Sequence, residues 1–164
     1  MTARSRIMGI DPGSRATGYG IIDQVGSNLG FVTCGTIRTE NGDSINNRLL
    51  VIYEGLRSVI ERYNPDVAAI EDVFLSQNAR SALKLGHARG VAVLAAMKSG
   101  LQVHDYSPRS VKQAVAGYGQ ADKYQVQHMV KALLELSSSP SNDAADALAV
   151  AICHANQAVY LENS

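Results

Sequence analysis

A mixed α/β fold is what this sequence predicts: one five-stranded sheet flanked by helices on both faces, in a single domain spanning residues 1–164. Three observations carry that prediction. The chain opens with three apolar runs joined by turn residues, then switches to helical periodicity. A later run, "VAAIE", lacks polar alternation and lies between helical stretches, as a central parallel strand buried on both faces would. A chain of 164 residues also buries enough apolar surface for one core without disulfide staples.

"RIMGID" reads as the first strand, with Ile7, Met8 and Ile10 inward. "PGSRAT" is turn chemistry, because Pro presets φ and Gly admits positive φ. "GYGIID" and "LGFVTCGTIRT" are the second and third strands, with "QVGSN" between them, so an antiparallel meander results. In "DSINNRLLVIYEGLRSVIERY", apolar residues from Ile45 to Tyr63 recur at helical spacing, with Asp43 or Ser44 as N-cap. Pro65 breaks that helix, and the fourth strand, 67–70, ends on Glu71. A long helix is expected over 79–97, then a fifth strand near "QVHDYS". "SPRSVKQAVAG" starts another helix, with Ser107 as N-cap and Pro108 at the first helical position. "ADKYQVQHMVKALLEL" and "DAADALAVAICHAN" are the last two helices, separated by the loop "SSSPSN".

Composition narrows the function classes. Cys34 and Cys153 belong to no CxxC or CxxH pattern and read as reduced thiols in a reducing compartment. No apolar run reaches membrane-spanning length and no hydrophobic signal segment precedes the first strand, so a cytoplasmic protein is expected. Formal net charge is zero, but its distribution is uneven. Between Arg80 and Lys131 eight basic residues, among them Arg80, Lys84, Lys112 and Lys123, face only Asp105 and Asp122. A neutral total is therefore compatible with a basic face around an acidic pocket, and equally with an ordinary solvated surface.

The acids carry the chemistry. Two apolar strands end on a carboxylate, Asp11 and Glu71, and ligands of open α/β sheets gather at such strand ends. Alone, Asp11 is a turn residue and Glu71 a solvated strand end. Asp143 and Asp146 change that, lying three apart on one helix face among Ala, Leu, Val and Ile. The helix dipole accounts for Asp143 and less well for Asp146, about a turn further in. A buried carboxylate needs a cation, and no Lys or Arg follows Lys131. Four acids sharing a site raise one another's pKa unless a metal joins them, and hard divalent ions take oxygen ligands. Two such ions can clamp the attacking and leaving oxygens of a phosphodiester. The four histidines show no zinc-type spacing.

"GIDPGSRATGYG", "AIEDVFLSQNARSALKLGHARG", "VKQAVAGYGQADKYQVQHMV" and "DAADALAVAICH" together resemble the RuvC family, bacterial Holliday-junction resolvases with a ribonuclease H-like fold. The likeness covers residues 7–154; its first block alone is also found in actin-like and sugar-kinase ATPases. The resemblance implies that Asp11, Glu71, Asp143 and Asp146 bind two Mg²⁺, with Mn²⁺ as a substitute. It implies that Phe74 stacks on a base near the junction and that Lys112 and Lys123 approach the scissile phosphates; Arg80 and Lys84, from the basic stretch, are expected as further DNA contacts. It also implies a homodimer acting on four-way junction DNA by paired incision, in concert with the RuvA–RuvB branch-migration complex. Three alternatives stay open on the residues: an actin-like ATPase, a non-catalytic DNA-binding scaffold, and a related nuclease acting on RNA or another branched substrate. The glycine-containing helix "LKLGHARGVAVLAAM" is either part of a dimer interface or a core helix.

Overall fold

The structure, a computed structural model, describes residues 3–72, 78–162 and 164. Ten elements follow in chain order: β1 (Arg4–Asp11), β2 (Ala16–Val25), β3 (Asn28–Arg38), α1 (Ile45–Tyr63), β4 (Val67–Glu71), α2 (Ala79–Lys98), β5 (Gln102–Tyr106), α3 (Pro108–Ala116), α4 (Lys123–Leu133) and α5 (Asn142–Glu162). The sheet runs β3-β2-β1-β4-β5. β1, β2 and β3 form the antiparallel meander, while β4 joins β1, and β5 joins β4, in parallel.

Local chemistry sets most boundaries. Ser44, not Asp43, caps α1, its side chain accepting from the Asn47 amide, and Asn64 in the left-handed region closes it. Ser107 caps α3 ahead of Pro108, and Asp122 and Gln125 form a capping box on α4. Two sequence expectations are corrected. α4 stops at Leu133 because Glu135 turns to φ 52°, whereas the apolar pattern continues to Leu136. α5 runs six residues past Asn156, to Glu162.

Alternation along β1 divides the core. Ile7 faces α3, α4 and α5, with Ile22, Val67, Ala69 and Tyr106 from neighbouring strands. Met8 and Ile10 face α1 and α2, with Ile21, Ala68 and Ile70. By the same two-residue period, Gly9 and Asp11 share the face of Ile7.

Glycine decides how close α5 comes. Gly9 and Gly20 are partners across β1 and β2, as are Asp11 and Gly18. A Cβ on Gly9 would sit 1.9 Å from the Ala147 carbonyl oxygen, and one on Gly18 would sit 2.0 Å from that of Asp143. The backbone of α5 therefore lies directly on a bare strip of sheet. Buried Gln24 fixes it further along, donating from Nε2 to the Ala155 carbonyl at 2.9 Å.

Candidate active site

Parallel pairing of Ile10 with Ile70 brings the ends of β1 and β4 side by side, so Asp11 and Glu71 are neighbours at the carboxyl edge of the sheet. Both point to the α5 face, since Ile7 and Val67 do. The first turns of α5 settle over Gly18, the strand partner of Asp11. That contact places Asp143 and, one turn on, Asp146 against the two strand-end acids. Four carboxylates from three elements thus meet at one end of the molecule.

Their electrostatics are those of an anionic site short of positive charge. Burial, followed by the charges of Asp146, Glu71 and Asp143, pushes the Asp11 carboxyl up to about 8. Burial and Asp146 raise Glu71 as well, while its hydrogen bond with Asp11 pulls it partly back. Asp146 is raised by burial against the opposing pull of Lys123. At neutral pH without metal, Asp11 therefore holds a proton between two acids that compete for it. Among the described residues no three acidic, histidine or cysteine side chains close on one point as a ready-made cage. Glu71 and Asp146 instead line a cleft, with Asp11 and Asp143 close beside them, an all-oxygen donor set that suits a hard divalent ion keeping several waters.

That cleft, of about 260 Å³, lies between Glu71 and Asp146 on one side and α3 and α4 on the other. Val111, Val126 and Ala149 form an apolar floor, and Lys112 and Lys123 stand in its wall. Lys123 Nζ lies 3.4 Å from Asp146 Oδ2. Asp146 thus has a cationic partner, from α4 rather than from its own helix, where no Lys or Arg follows Lys131. Lys112 on α3 and Lys123 both favour the ionised form of Glu71.

The other candidates are more dispersed. Arg80 and Lys84 are exposed on the first turns of α2 and do not line the cleft. Phe74 lies outside the described residues. Arg89, counted among the basic residues, is tied up by Asp72 and Asp105. Sequence reading missed one cluster on the cleft's face of the sheet. The Tyr106 hydroxyl meets His154 Nδ1 at 2.6 Å, and the His104 ring lies 4.7 Å from that of His154. Burial and His104 push His154 down to about 4, so a neutral imidazole couples β5 to α5. Spacing offered no signal for it, because the pair is 50 residues apart in sequence.

A three-plus-two mixed sheet with acids at the ends of β1 and β4 and on the helix crossing them defines a ribonuclease H-like protein of the nuclease type. The family model for the crossover junction endodeoxyribonuclease RuvC matches residues 7–154. The RuvC protein of Geobacter sulfurreducens is 57% identical over 154 residues, 94% of each chain. Among solved structures, Thermus thermophilus RuvC in complex with a Holliday junction substrate superposes with a TM-score of 0.89 at 33% identity, covering 95% of this chain and 96% of that one. A yeast mitochondrial Holliday-junction resolvase shares the fold, at TM-score 0.67 and 14% identity over 97% of this chain and 82% of its own. This chain belongs to the RuvC family of crossover junction endodeoxyribonucleases, a family of divalent-metal nucleases.

Proposed function

We propose that this protein resolves four-way DNA junctions by metal-dependent phosphodiester hydrolysis during recombination and repair, working in the cytoplasm. The observation that supports this reading is that Asp11, Glu71, Asp143 and Asp146 lie close enough for the other three charges to raise the Asp11 carboxyl, while Glu71 and Asp146 line a cleft with Lys112 and Lys123 in its wall. The four acids hold two Mg²⁺, or Mn²⁺ in their place. When bound, such ions lower the pKa of water and offset charge on the departing 3′ oxygen. Everything else falls to side chains of the chain itself. Asp146 and Lys123 neutralise each other while the site is empty of substrate, and Lys123, with its side chain 59% exposed, is free to swing to a phosphate. Lys112 approaches the same phosphate from α3. Phe74 takes the base-stacking role next to the junction, and Arg80 and Lys84 contact the arms. Incision leaves 5′-phosphate and 3′-hydroxyl ends.

Paired incision calls for two copies of the site related by a two-fold axis. α2 is a suitable interface: Leu83, Leu94 and Met97 are each more than half exposed, and a Cβ on Gly86 or Gly90 would meet nothing. These five positions recur at helical spacing and form one apolar stripe with a flat centre. The RuvA–RuvB complex is the partner that supplies migrated junctions. The experiment is cleavage of a synthetic four-way junction, beside linear duplex and RNA–DNA hybrid controls, with Mg²⁺ and with chelator. Symmetric cuts in the junction alone, abolished by chelator, are expected; equal cutting of the hybrid or no cutting of the junction would overturn the reading.

A further inference from the structure

The outer face of α4 is not used by the site described above, although α4 supplies Lys123 to it. Tyr124, next in sequence, is 78% exposed, a large aromatic ring that packs against little of its own chain. Tyr124, Gln127 or His128, and Lys131 recur at i, i+3/i+4, i+7 and so share one side of the helix. Together with Ser139, Pro140 and Ala145 they line a hollow of about 180 Å³. No carboxylate lines this hollow among the described residues. Its base is firm: Gln127 Nε2 donates to Asn142 Oδ1 at 3.0 Å, tying α4 to the start of α5. The hollow and the acid cleft lie on neighbouring sides of α4, Lys123 and Val126 lining the cleft and Tyr124 and Gln127 the hollow.

We propose that this face of α4 is a shelf for the nucleic-acid strand as it leaves the cleft, with Tyr124 stacking on a base or sugar and Lys131 and His128 meeting phosphates. The proposal rests on the junction-resolving function and adds binding residues to it. An exposed aromatic beside uncompensated positive charge, continuous with a phosphate site, is the combination that single strands and frayed arms select. Seven residues of helix separate Tyr124 from Lys131, about 10 Å at 1.5 Å per residue. Along the axis of a stacked arm, at about 3.4 Å per step, that span is about three nucleotides, so one short stretch of strand engages both ends. The hollow's lack of acids keeps the charge complementary along that stretch.

The test is binding of a fluorescent synthetic four-way junction in chelator over a salt series, followed by single-turnover cleavage in Mg²⁺ at saturating protein. Tyr124→Ala is expected to weaken binding about five-fold or more, the loss of one stacked base, whereas Tyr124→Phe keeps wild-type affinity. Lys131→Ala is expected to lower the slope of log affinity on log salt by about one unit. Cleavage by saturated complexes stays near wild type in all three, and melting temperatures are unchanged because the side chains are peripheral. Wild-type affinity in Tyr124→Ala, a loss in Tyr124→Phe equal to that in Tyr124→Ala, or an unchanged slope in Lys131→Ala overturns the shelf. If wild-type protein neither binds nor cuts the junction, the proposed function fails and the shelf fails with it. A wild type that cuts normally beside unaltered variants removes the shelf alone.

Discussion

Asp11 is the residue on which the proposed chemistry turns, because its proton and a divalent ion held there would compete for the same oxygens. Its carboxyl titrates near 4 in an unfolded chain and near 8 in the folded, metal-free protein. Between those values the folded state binds the extra proton, so metal-free stability is greatest at low pH and falls as pH rises through the window. Burial raises Glu71 and Asp146 in the same direction. Thermal melts in chelator should therefore show a falling Tm from about pH 5 to 8, with a shallower fall in Asp11→Asn. An equally steep fall in that variant would contradict the assignment. Saturating Mg²⁺ should reverse the trend, since binding requires the ionised acids and releases their protons. Lys123 acts on the same balance from the other side, favouring the charged forms of Asp11, Glu71 and Asp146. Lys112→Ala and Lys123→Ala should each slow single-turnover cleavage and reduce the salt slope of junction binding by about one unit per lost phosphate contact. Unchanged slope and rate in both would remove the lysines from the site.

At the scale of elements, α5 is the part that makes four scattered acids into a site, and the sheet's glycines let it. Gly18→Ala would drive a methyl group into the Asp143 carbonyl, where the gap is 2.0 Å. Neither backbone has a flexible end to give way, so the helix start must lift off the strand. The expected cost is about 1–3 kcal/mol, as for other overpacked interiors, with cleavage lost far out of proportion to the shift in Tm. Gly30→Ala is the control, since its Cβ would approach no closer than 3.9 Å to the Asp23 carbonyl. If both variants cleave alike, the close seating of α5 is not what assembles the acids. α2 poses the complementary question. Leu94→Glu places a charge in its exposed apolar stripe and should shift the proposed dimer to monomer in sedimentation, while leaving the melting temperature of the monomer nearly unchanged.

For the whole molecule, the meander-then-parallel topology puts two strand ends and one helix start at the same edge, and much of that was legible in the sequence. "MGID" and "AAIE" announced buried strands ending on acids because apolar runs and terminal charges are local patterns. Asp146 stood out because a charge among alanines needs an explanation that nearby residues did not supply. What local patterns cannot encode is contact between distant elements. The Lys123–Asp146 pair joins two helices across a loop of irregular chain, and the Tyr106–His154 bond spans 48 residues. The glycines of β1 and β2 carry no local signal of the helix that lies on them. Register, which places Asp11 opposite Gly18, was the missing information.

The central claim, that these acids hold catalytic metal rather than cap turns and helices, is tested most directly by Asp146→Asn and Asp11→Asn. Each keeps size and shape and removes one negative charge, and Asn serves at turns and caps about as well as Asp. The measurement is single-turnover cleavage of a four-way junction in Mg²⁺, paired with junction binding in chelator. Cleavage is expected to collapse while binding persists or tightens, because a charge repelling the phosphate has gone, and the metal-free fold is expected to be as stable as wild type or more so. Cleavage near the wild-type rate in either variant, or a loss of activity that only tracks unfolding, would contradict it.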